Sequence, residues 1–120
     1  MPELKDWRCQ GMSTARMEEL HRAEVEIAIC SALLAAASAS GLPVDAIKKR
    51  LEAAQKEKAE VQEWINAVSD ARIRSALTLK YLRGWTWDEV AEICSGKPEN
   101  LKKACQRFVA AHKYDDPAWL

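Results

Sequence analysis

The sequence predicts an all-α protein: an N-terminal antiparallel long-helix hairpin, coiled-coil-like, followed by a C-terminal helix-turn-helix bundle. The composition supports this class, because helix-favouring Ala, Glu, Lys, Arg and Leu dominate and the four glycines and four prolines fall at turn-like places. Two long stretches also repeat apolar residues at helical spacing, and helix start and stop signals divide the remaining sequence. At 120 residues the chain is most simply one domain.

The first predicted helix begins near Ser13 or Thr14, either of which can cap it. Gly41, with Pro43 soon after, provides a stop and a new start, so we expect a turn at residues 38 to 43. The apolar positions of the helix are three or four residues apart, which is the spacing of one helix face. They are Met17, Leu20, Ala23, Ile27, Cys30, Leu34 and Ala37.

The second predicted helix, residues 44 to 68, is more regular. Its apolar positions alternate spacings of three and four, as in a coiled-coil seam, with Lys58 as the single charged member. The members are Val44, Ile47, Leu51, Ala54, Lys58, Val61, Ile65 and Val68. Two long helices joined by a short turn form a hairpin, and the alanines of the first helix would allow close approach.

We expect the hairpin, residues 13 to 69, to form a homodimer or higher homo-oligomer. A helix of residues 44 to 68 is about 37 Å long and one of residues 87 to 94 about 12 Å, so the C-terminal part is too small to cover the seam. Exposed apolar seams usually pair with a second copy. The residues expected to make this contact are Ile27, Leu34, Ile47, Leu51, Val61 and Ile65.

The long period ends at Asp70, which can cap a new helix. The sequence leaves open whether the preceding helix kinks here or continues. Two shorter helices follow, near residues 87 to 94 and 98 to 112, separated by the turn sequence CSGKP. We therefore expect the helix-turn-helix at residues 70 to 112.

Trp85 and Trp87 flank Thr86 in the sequence GWTWDE. With Thr86 as the N-cap, Glu89 falls at the third helical position, which predicts a reciprocal capping box. Trp85 then packs on Val90 as a hydrophobic staple, while Trp87 lies on the core face of the helix. Both tryptophans are predicted to be structural.

The last helix is basic although the chain is neutral overall, with 18 basic and 18 acidic residues. Residues 97 to 113 contain five basic residues and one acidic residue, whereas residues 87 to 94 contain three acidic residues and no basic one. This pattern is expected where one helix enters the groove of double-stranded DNA. A solvated helix face would give the same pattern.

Four polar residues recur on one face of the basic helix: Lys97, Asn100, Lys103 and Arg107, with Lys102 at the edge. We expect Asn100 and Lys103 to read bases and the others to contact phosphates. Candidates for flanking phosphate contacts are Arg72, Arg74, Lys80, Arg83 and Lys113. The expected core face of the same helix is Leu101, Ala104, Cys105 and Phe108.

Residues 73 to 108 follow an ordered pattern of an arginine and leucines, an aromatic-leucine pair, glycine, a Thr-Trp capped helix, a glycine turn, and Glu-Asn before a basic helix. Its members are Arg74, Leu77, Tyr81, Leu82, Gly84, Thr86, Trp87, Val90, Ala91, Gly96, Glu99, Asn100, Leu101, Lys102, Lys103, Arg107 and Phe108. With this pattern the segment resembles the helix-turn-helix of small phage-encoded regulators of the ArpU and RinA type, themselves similar to sigma factor region 4. The resemblance implies a phage or prophage transcription regulator that binds DNA.

Two positions depart from that pattern. Many such units have glycine four residues after the alanine, where this chain has Ser95 followed by Gly96. The expected Ser or Thr cap of the second helix is replaced by Lys97 before Pro98. Glu99 would repel phosphate, although a carboxylate can accept a hydrogen bond from cytosine. We expect a reshaped turn.

Catalytic, phosphate-loop and metal-site signatures are absent, so we expect neither an enzyme nor a cofactor. Cys9, Cys30, Cys94 and Cys105 form no C-x-x-C pair and are expected to be free thiols in the bacterial cytoplasm. The most apolar run, residues 27 to 39, is too short to span a bilayer, so we expect no membrane partner.

Two alternatives stay open. The helix-turn-helix could bind RNA polymerase or another phage protein without touching DNA, which the neutral charge and Glu99 favour. The chain could also be the small subunit of a phage packaging terminase, which joins a helix-turn-helix to an oligomerising helical pair. Residues 1 to 12 and 113 to 120 resemble tails, in which Trp7 and Trp119 are expected to dock on apolar surface.

Overall fold

The computed structural model describes residues 11–41 and 43–115. Within these ranges the secondary structure is entirely helical, which confirms the all-α class. Trp7 and Trp119 lie outside the described residues. The helices are α1 (Thr14–Glu18), α2 (Leu20–Ser40), α3 (Val44–Asn66), α4 (Ala71–Leu77), α5 (Trp87–Cys94) and α6 (Pro98–Ala111), and a π-helical turn, Thr78–Leu82, directly follows α4.

Local capping signals set several helix starts. The Ser13 hydroxyl accepts a hydrogen bond of 3.1 Å from the backbone N–H of Arg16, which begins α1. The Asp70 carboxylate accepts bonds of 3.0 and 3.1 Å from two backbone N–H groups in the first turn of α4. Since α3 ends at Asn66 and α4 begins at Ala71, the chain breaks its helix here rather than continuing.

The first predicted helix is interrupted at Glu19, between α1 and α2. The backbone N–H of Glu19 is shared between the carbonyl oxygens of Ala15 and Arg16, both at 3.2 Å. Arg16 itself is anchored to α3, because its guanidinium donates to Glu57 at 2.8 and 2.7 Å and to Glu60 at 3.1 Å. These carboxylates, Glu57 first, raise the pKa of Arg16. The network ties α1 to α3.

The helices α2 and α3 lie side by side in opposite directions. They are joined by a turn at Gly41, whose φ of 68° suits a residue without a side chain. Glu26 of α2 accepts a bond of 2.6 Å from Arg50, whereas Glu24 pairs with Lys58, further along α3, at 3.5 Å. The order of these pairs fixes the antiparallel direction.

One core spans both ends of the described chain. It joins the segment before α1, the end of α3 and the helices α4 to α6, so the boundary expected at residues 69–70 does not separate two cores. Met12, two residues before α1, is buried in it and donates its backbone N–H to the carbonyl of Lys113 at 2.7 Å. The core residues are Met12, Met17, Leu20, Val61, Trp64, Ile65, Val68, Ile73, Ala76, Leu77, Tyr81, Val90, Ala91, Leu101, Cys105 and Val109.

Three of the residues expected at an oligomer seam are already covered by the chain itself. Val61 and Ile65 lie in the core, and Ile47 is buried where α2 is the neighbouring helix of α3. They are unavailable to a second copy, so the expected contact is wrong at these positions. The other three expected members, Ile27, Leu34 and Leu51, are half-buried.

Beyond the core, α2 and α3 continue as a two-helix arm, formed by residues 27–40 and 44–56. Among the side chains of the arm that the structure describes, few are fully covered, and Cys30 and Ile47 are two of them. The arm gives the described chain an elongated, flat shape of 53 × 39 × 18 Å. None of the described helices combines the length and apolarity needed to cross a membrane.

Candidate nucleic-acid interface

The start of α5 has the predicted capping box. The Thr86 hydroxyl accepts from the backbone N–H of Glu89 at 3.2 Å, and the Glu89 carboxylate accepts from the backbone N–H of Thr86 at 2.9 Å. Two otherwise unpaired donors are satisfied, and α5 begins at Trp87. Val90, one turn further on, is fully buried and fixes the inner face of this helix.

The two tryptophans around that cap hold α5 against the π-helical turn. Trp85 and Trp87 are partly buried against the core, as predicted. The backbone N–H of Trp85 donates to Leu79 at 3.0 Å, and the ring of Trp87 meets Tyr81 edge-on with centroids 6.3 Å apart. The ammonium of Lys80 lies 5.7 Å from the centroid of the Trp87 ring. These contacts fix the position of α5.

The turn between α5 and α6 has an unusual backbone at Ser95. Its φ of 66° with ψ of 139° lies in a region that glycine adopts readily and other residues rarely do. Gly96 follows with a φ of 116°. The Ser95 N–H donates to the carbonyl of Ala91 at 2.8 Å, which closes the end of α5. Ser95, four residues after Ala91, therefore stands where many helix-turn-helix units have glycine.

Arg72 of α4 fastens this turn. Its guanidinium donates to the carbonyl of Ser95 at 2.7 Å and to that of Cys94 at 3.4 Å. A cation at the carbonyl end of α5 also complements the helix dipole. A Cβ added at Gly96 would lie 2.8 Å from Nη2 of Arg72, so this guanidinium would have to shift, and the φ of 116° is itself one that residues with a side chain rarely adopt. Arg72 was expected to contact phosphate, but its guanidinium N–H groups donate to carbonyls of this turn.

The other flanking candidates differ in their surroundings. Arg74 donates to the carbonyl of Val68 at 2.7 Å, so it also serves the fold. Lys80 lies over Trp87, and Lys113 lies over the ring of Tyr114, 5.4 Å from its centroid. Arg83 is exposed beside Gly84. Arg83 is thus the flanking cation with the least structural commitment.

One face of α6 packs into the core. Leu101 and Cys105 are buried as predicted, and Val109 adds a third buried residue that the sequence pattern did not include. Phe108 is partly buried and meets Trp64 of α3 edge-on, with centroids 6.2 Å apart. Burial raises the pKa of the Cys105 thiol to about 12, so this cysteine stays protonated and unreactive at neutral pH.

The opposite face of α6 is polar and exposed. Lys97, Asn100, Lys103 and Arg107 all lie on it, whereas Lys102 is partly buried at its edge. Within the described residues no ion pair or side-chain hydrogen bond holds the four exposed side chains. Lys103 lies at the middle of this face, since the buried residues occupy the other side of the helix. The structure thus brings the predicted base and phosphate contacts together on one surface.

Opposite charges are separated between the two helices. Asp88, Glu89 and Glu92 are exposed on α5, and the cations lie on α6. Glu99 is the acidic residue on the exposed side of α6, near its start. Gln106, also exposed there, was not predicted from the sequence, although its spacing of three from Lys103 could have indicated it.

Two structural roles were also missed in the sequence. Arg16 joins Glu57 and Glu60 across 41 and 44 residues, a pairing that no local pattern signals. The side chain of Trp64, on α3, lies in the core on the side that faces α6. Its indole N–H has no hydrogen-bond partner among the described residues. Its spacing from Val61 and Val68 could have placed it on the inner face.

Within the described residues, no group of three or more His, Cys, Asp or Glu side chains could hold a metal ion. No protein-family model, curated protein or solved structure matches this chain. Its function is therefore inferred from its own residues and their geometry.

Proposed function

We propose that the protein binds double-stranded DNA through the exposed face of α6, and that α5, the turn at Ser95 and Gly96, and α6 act as a helix-turn-helix. The observation that carries this proposal is the exposed row of α6, in which three cations and Asn100 have no partner within the described chain. A helix of 14 residues, about 21 Å long, fits the major groove of B-DNA.

The geometry of the turn supports the same assignment. Ser95 has a glycine-like backbone at the position where the family pattern has glycine. Arg72 and the tryptophans around Thr86 hold α5 and the turn in place, which would preorganise α6 for binding. With the resemblance to ArpU- and RinA-type regulators, this supports the narrower proposal of a phage or prophage transcription regulator.

The exposed residues of α6 then divide by role. Asn100 can pair with adenine, and Lys103, at the middle of the face, can donate to guanine. Lys97, Arg107 and the half-buried Lys102 would contact phosphates, which position the helix but do not read sequence. Glu99 would accept from cytosine or repel phosphate, so it narrows the sequences that can bind.

A titration of labelled duplex DNA by fluorescence anisotropy, repeated over a range of salt concentrations, tests the proposal. The double variant Lys103→Ala, Arg107→Ala should bind more weakly. The slope of log affinity against log salt should fall by about 1 for each phosphate that the variant no longer neutralises. The matched control Lys103→Arg, Arg107→Lys keeps both charges and should keep most of the affinity. Equal affinity of the alanine variant and the wild type would contradict the proposal.

One observation favours a second candidate function, docking to a protein such as RNA polymerase. Ile93 of α5 is 63% exposed, beside the acidic Glu89 and Glu92. An apolar residue among acidic ones suits a protein surface with basic residues around an apolar pocket. Binding to purified RNA polymerase that persists with nuclease present, and that Ile93→Lys abolishes, would establish this function. Loss of binding on nuclease treatment would reject it.

We further propose that the α2–α3 pair brings two copies together. Two copies present two basic helices, and dimeric helix-turn-helix proteins bind paired half-sites in this way.

A further inference from the structure

A cleft of about 330 Å³ lies where the α2–α3 pair meets the π-helical turn. Its walls come from α2, from the second half of α3 and from residues 78–83. The volume is at the lower end of the range for small-molecule sites in proteins. Single π-helical turns are also frequent at functional sites. The chemistry of the lining side chains decides what this cleft can hold.

Lys58 brings a positive charge to the cleft from α3. It is the charged member of the seam, at a position where the spacing calls for an apolar side chain. Its ammonium lies 3.5 Å from the carboxylate of Glu24, and both side chains are partly exposed. An exposed pair at this distance adds little stability. The pair with Glu24 therefore does not account for a lysine in the seam.

Arg83 brings a second cation to the same cleft, from the end of the π-helical turn. Its guanidinium has no ion pair or hydrogen bond within the described residues. Among the described lining residues Glu24 is the acidic one, so two positive charges stand against one negative charge. Like charges on two walls of one cleft repel each other, and a bound anion removes that repulsion.

Neutral polar groups of the cleft are also without partners. Gln62 and Asn66 line it one and two turns beyond Lys58 on α3, and neither side-chain amide has a hydrogen-bond partner within the described residues. Tyr81 is 9% exposed and lines the cleft, yet its hydroxyl bonds to no group of the described chain. Burial raises the pKa of Tyr81 to about 12, so this hydroxyl keeps its proton at neutral pH and can donate it to a ligand.

We propose that the cleft binds a small polyhydroxylated anion, a sugar phosphate or a sugar acid, with the phosphate or carboxylate between Lys58 and Arg83. The arginine fork pairs with either group through two parallel hydrogen bonds, and the lysine adds a point charge. The amides of Gln62 and Asn66 and the hydroxyl of Tyr81 bind the hydroxyl groups of the ligand. This site goes beyond DNA binding and does not depend on it.

NMR titrations of the isotope-labelled full chain with glucose-6-phosphate, glucuronate and glucose test the proposal. The three compounds share one sugar ring and differ in a terminal group, which is a phosphate, a carboxylate or a hydroxyl. At least one of the two anions should shift the side-chain amide signals of Gln62 and Asn66 to saturation, and glucose should bind at least about tenfold more weakly. Saturation by glucose-6-phosphate alone assigns the site to phosphates, and saturation by glucuronate alone assigns it to carboxylates.

Two variants remove the cations one at a time. Arg83→Ala and Lys58→Met should each weaken binding of the anion by at least about tenfold. The matched controls are Arg22→Ala, at an exposed arginine of α2 outside the cleft, and Lys48→Met, at an exposed lysine of α3, and both should keep the affinity of the wild type. Lys58→Met should not lower the unfolding temperature, because methionine suits an apolar seam, so its loss of affinity is separated from loss of the fold.

The proposal is overturned if neither anion gives saturable shifts at about 10 mM, or if glucose binds as tightly as the anions. Shifts centred on the exposed cations of α6 instead of the cleft would overturn it as well, and so would equal affinities of folded Arg83→Ala and the wild type. A chain that binds a sugar anion but no DNA would refute the proposed function alone. A chain that binds DNA but neither anion would refute this inference alone.

Discussion

The backbone of Ser95 leads to a prediction about stability. Its φ of 66° and ψ of 139° are strained for any residue with a side chain. We expect Ser95→Gly to stabilise the protein, because glycine adopts this conformation without strain. The turn itself should keep its shape, since Gly96 and Arg72 are unchanged.

The expected gain is a difference between two terms. A strained backbone of this kind costs about 1–3 kcal/mol, which glycine would remove. Glycine also gives the unfolded chain more freedom, which lowers the free energy of unfolding by about 0.4–1 kcal/mol. The midpoints of these two ranges differ by about 1.3 kcal/mol in favour of glycine. For a domain of this size, a gain of that amount should raise the melting temperature by about 4–6 °C.

Urea unfolding followed by circular dichroism measures the change. The matched control is Ser75→Gly, the same replacement at an exposed position within α4, where glycine should lower stability by about 0.5 kcal/mol. DNA affinity of Ser95→Gly should stay within about twofold of the wild type, because the contact face of α6 is unaltered. Opposite signs for the two variants are expected. A loss of stability in Ser95→Gly would refute the assignment of strain to this turn.

Two further predictions concern the same part of the chain. Arg72→Ala should lower the free energy of unfolding by about 1 kcal/mol, because Arg72 holds the turn through two backbone carbonyls. It should also weaken DNA binding without changing the slope of log affinity against log salt, because Arg72 does not contact a phosphate. Urea unfolding and the salt titration measure the two effects, and a slope that falls by about 1 would instead indicate a direct phosphate contact. Alkaline pH should destabilise the protein, because burial raises the pKa of the Cys105 thiol from 9.0 to about 12 and that of the Tyr81 phenol from 10.0 to about 12. Because each pKa is higher in the folded state than in the unfolded state, the stability that the two groups contribute is complete below about pH 9 and is lost between about pH 9 and 12. Urea unfolding midpoints that stay constant from about pH 9 to 11 would contradict this prediction.

Helix boundaries were predictable because their signals are local. Ser13, Asp70 and Thr86 each bind backbone N–H groups within three residues, so a short stretch of sequence contains both partners of the contact. Pro98 begins α6 for a reason that is equally local, its fixed φ and missing N–H. These residues determine where helices start without help from the tertiary structure.

The π-helical turn was not predictable. The backbone N–H of Arg83 bonds to the carbonyl of Thr78, five residues back, at 3.0 Å. No residue in that stretch demands the wider turn, and the segment has ordinary helix formers. Tyr81 is buried there against Trp87, a residue outside the turn, and a contact of this kind is not marked by local propensity.

The candidate site was predicted in part. A basic face on α6 follows from helical spacing, so Lys103 and Arg107 could be placed on one surface from the sequence. The hydrogen bonds that hold Arg72 and Arg74 could not be predicted, because their acceptors are backbone carbonyls. Every residue has such a carbonyl, and no sequence pattern marks the one that is used. A list of basic residues therefore overestimates the cations that are available to phosphate.

The sequence by itself determined the all-α class, the capped helix starts and the inner face of α3, because each depends on contacts within a few residues or on a simple period. Only the tertiary structure decided which apolar surface is covered. Val61 and Ile65 are buried by helices far along the chain, whereas Ile29 is not. In residues 27–40 of α2, which contain no charged residue, the sequence marks the exposed face less clearly than in an amphipathic helix. The packing of α3 against α2 determines which side of it stays exposed.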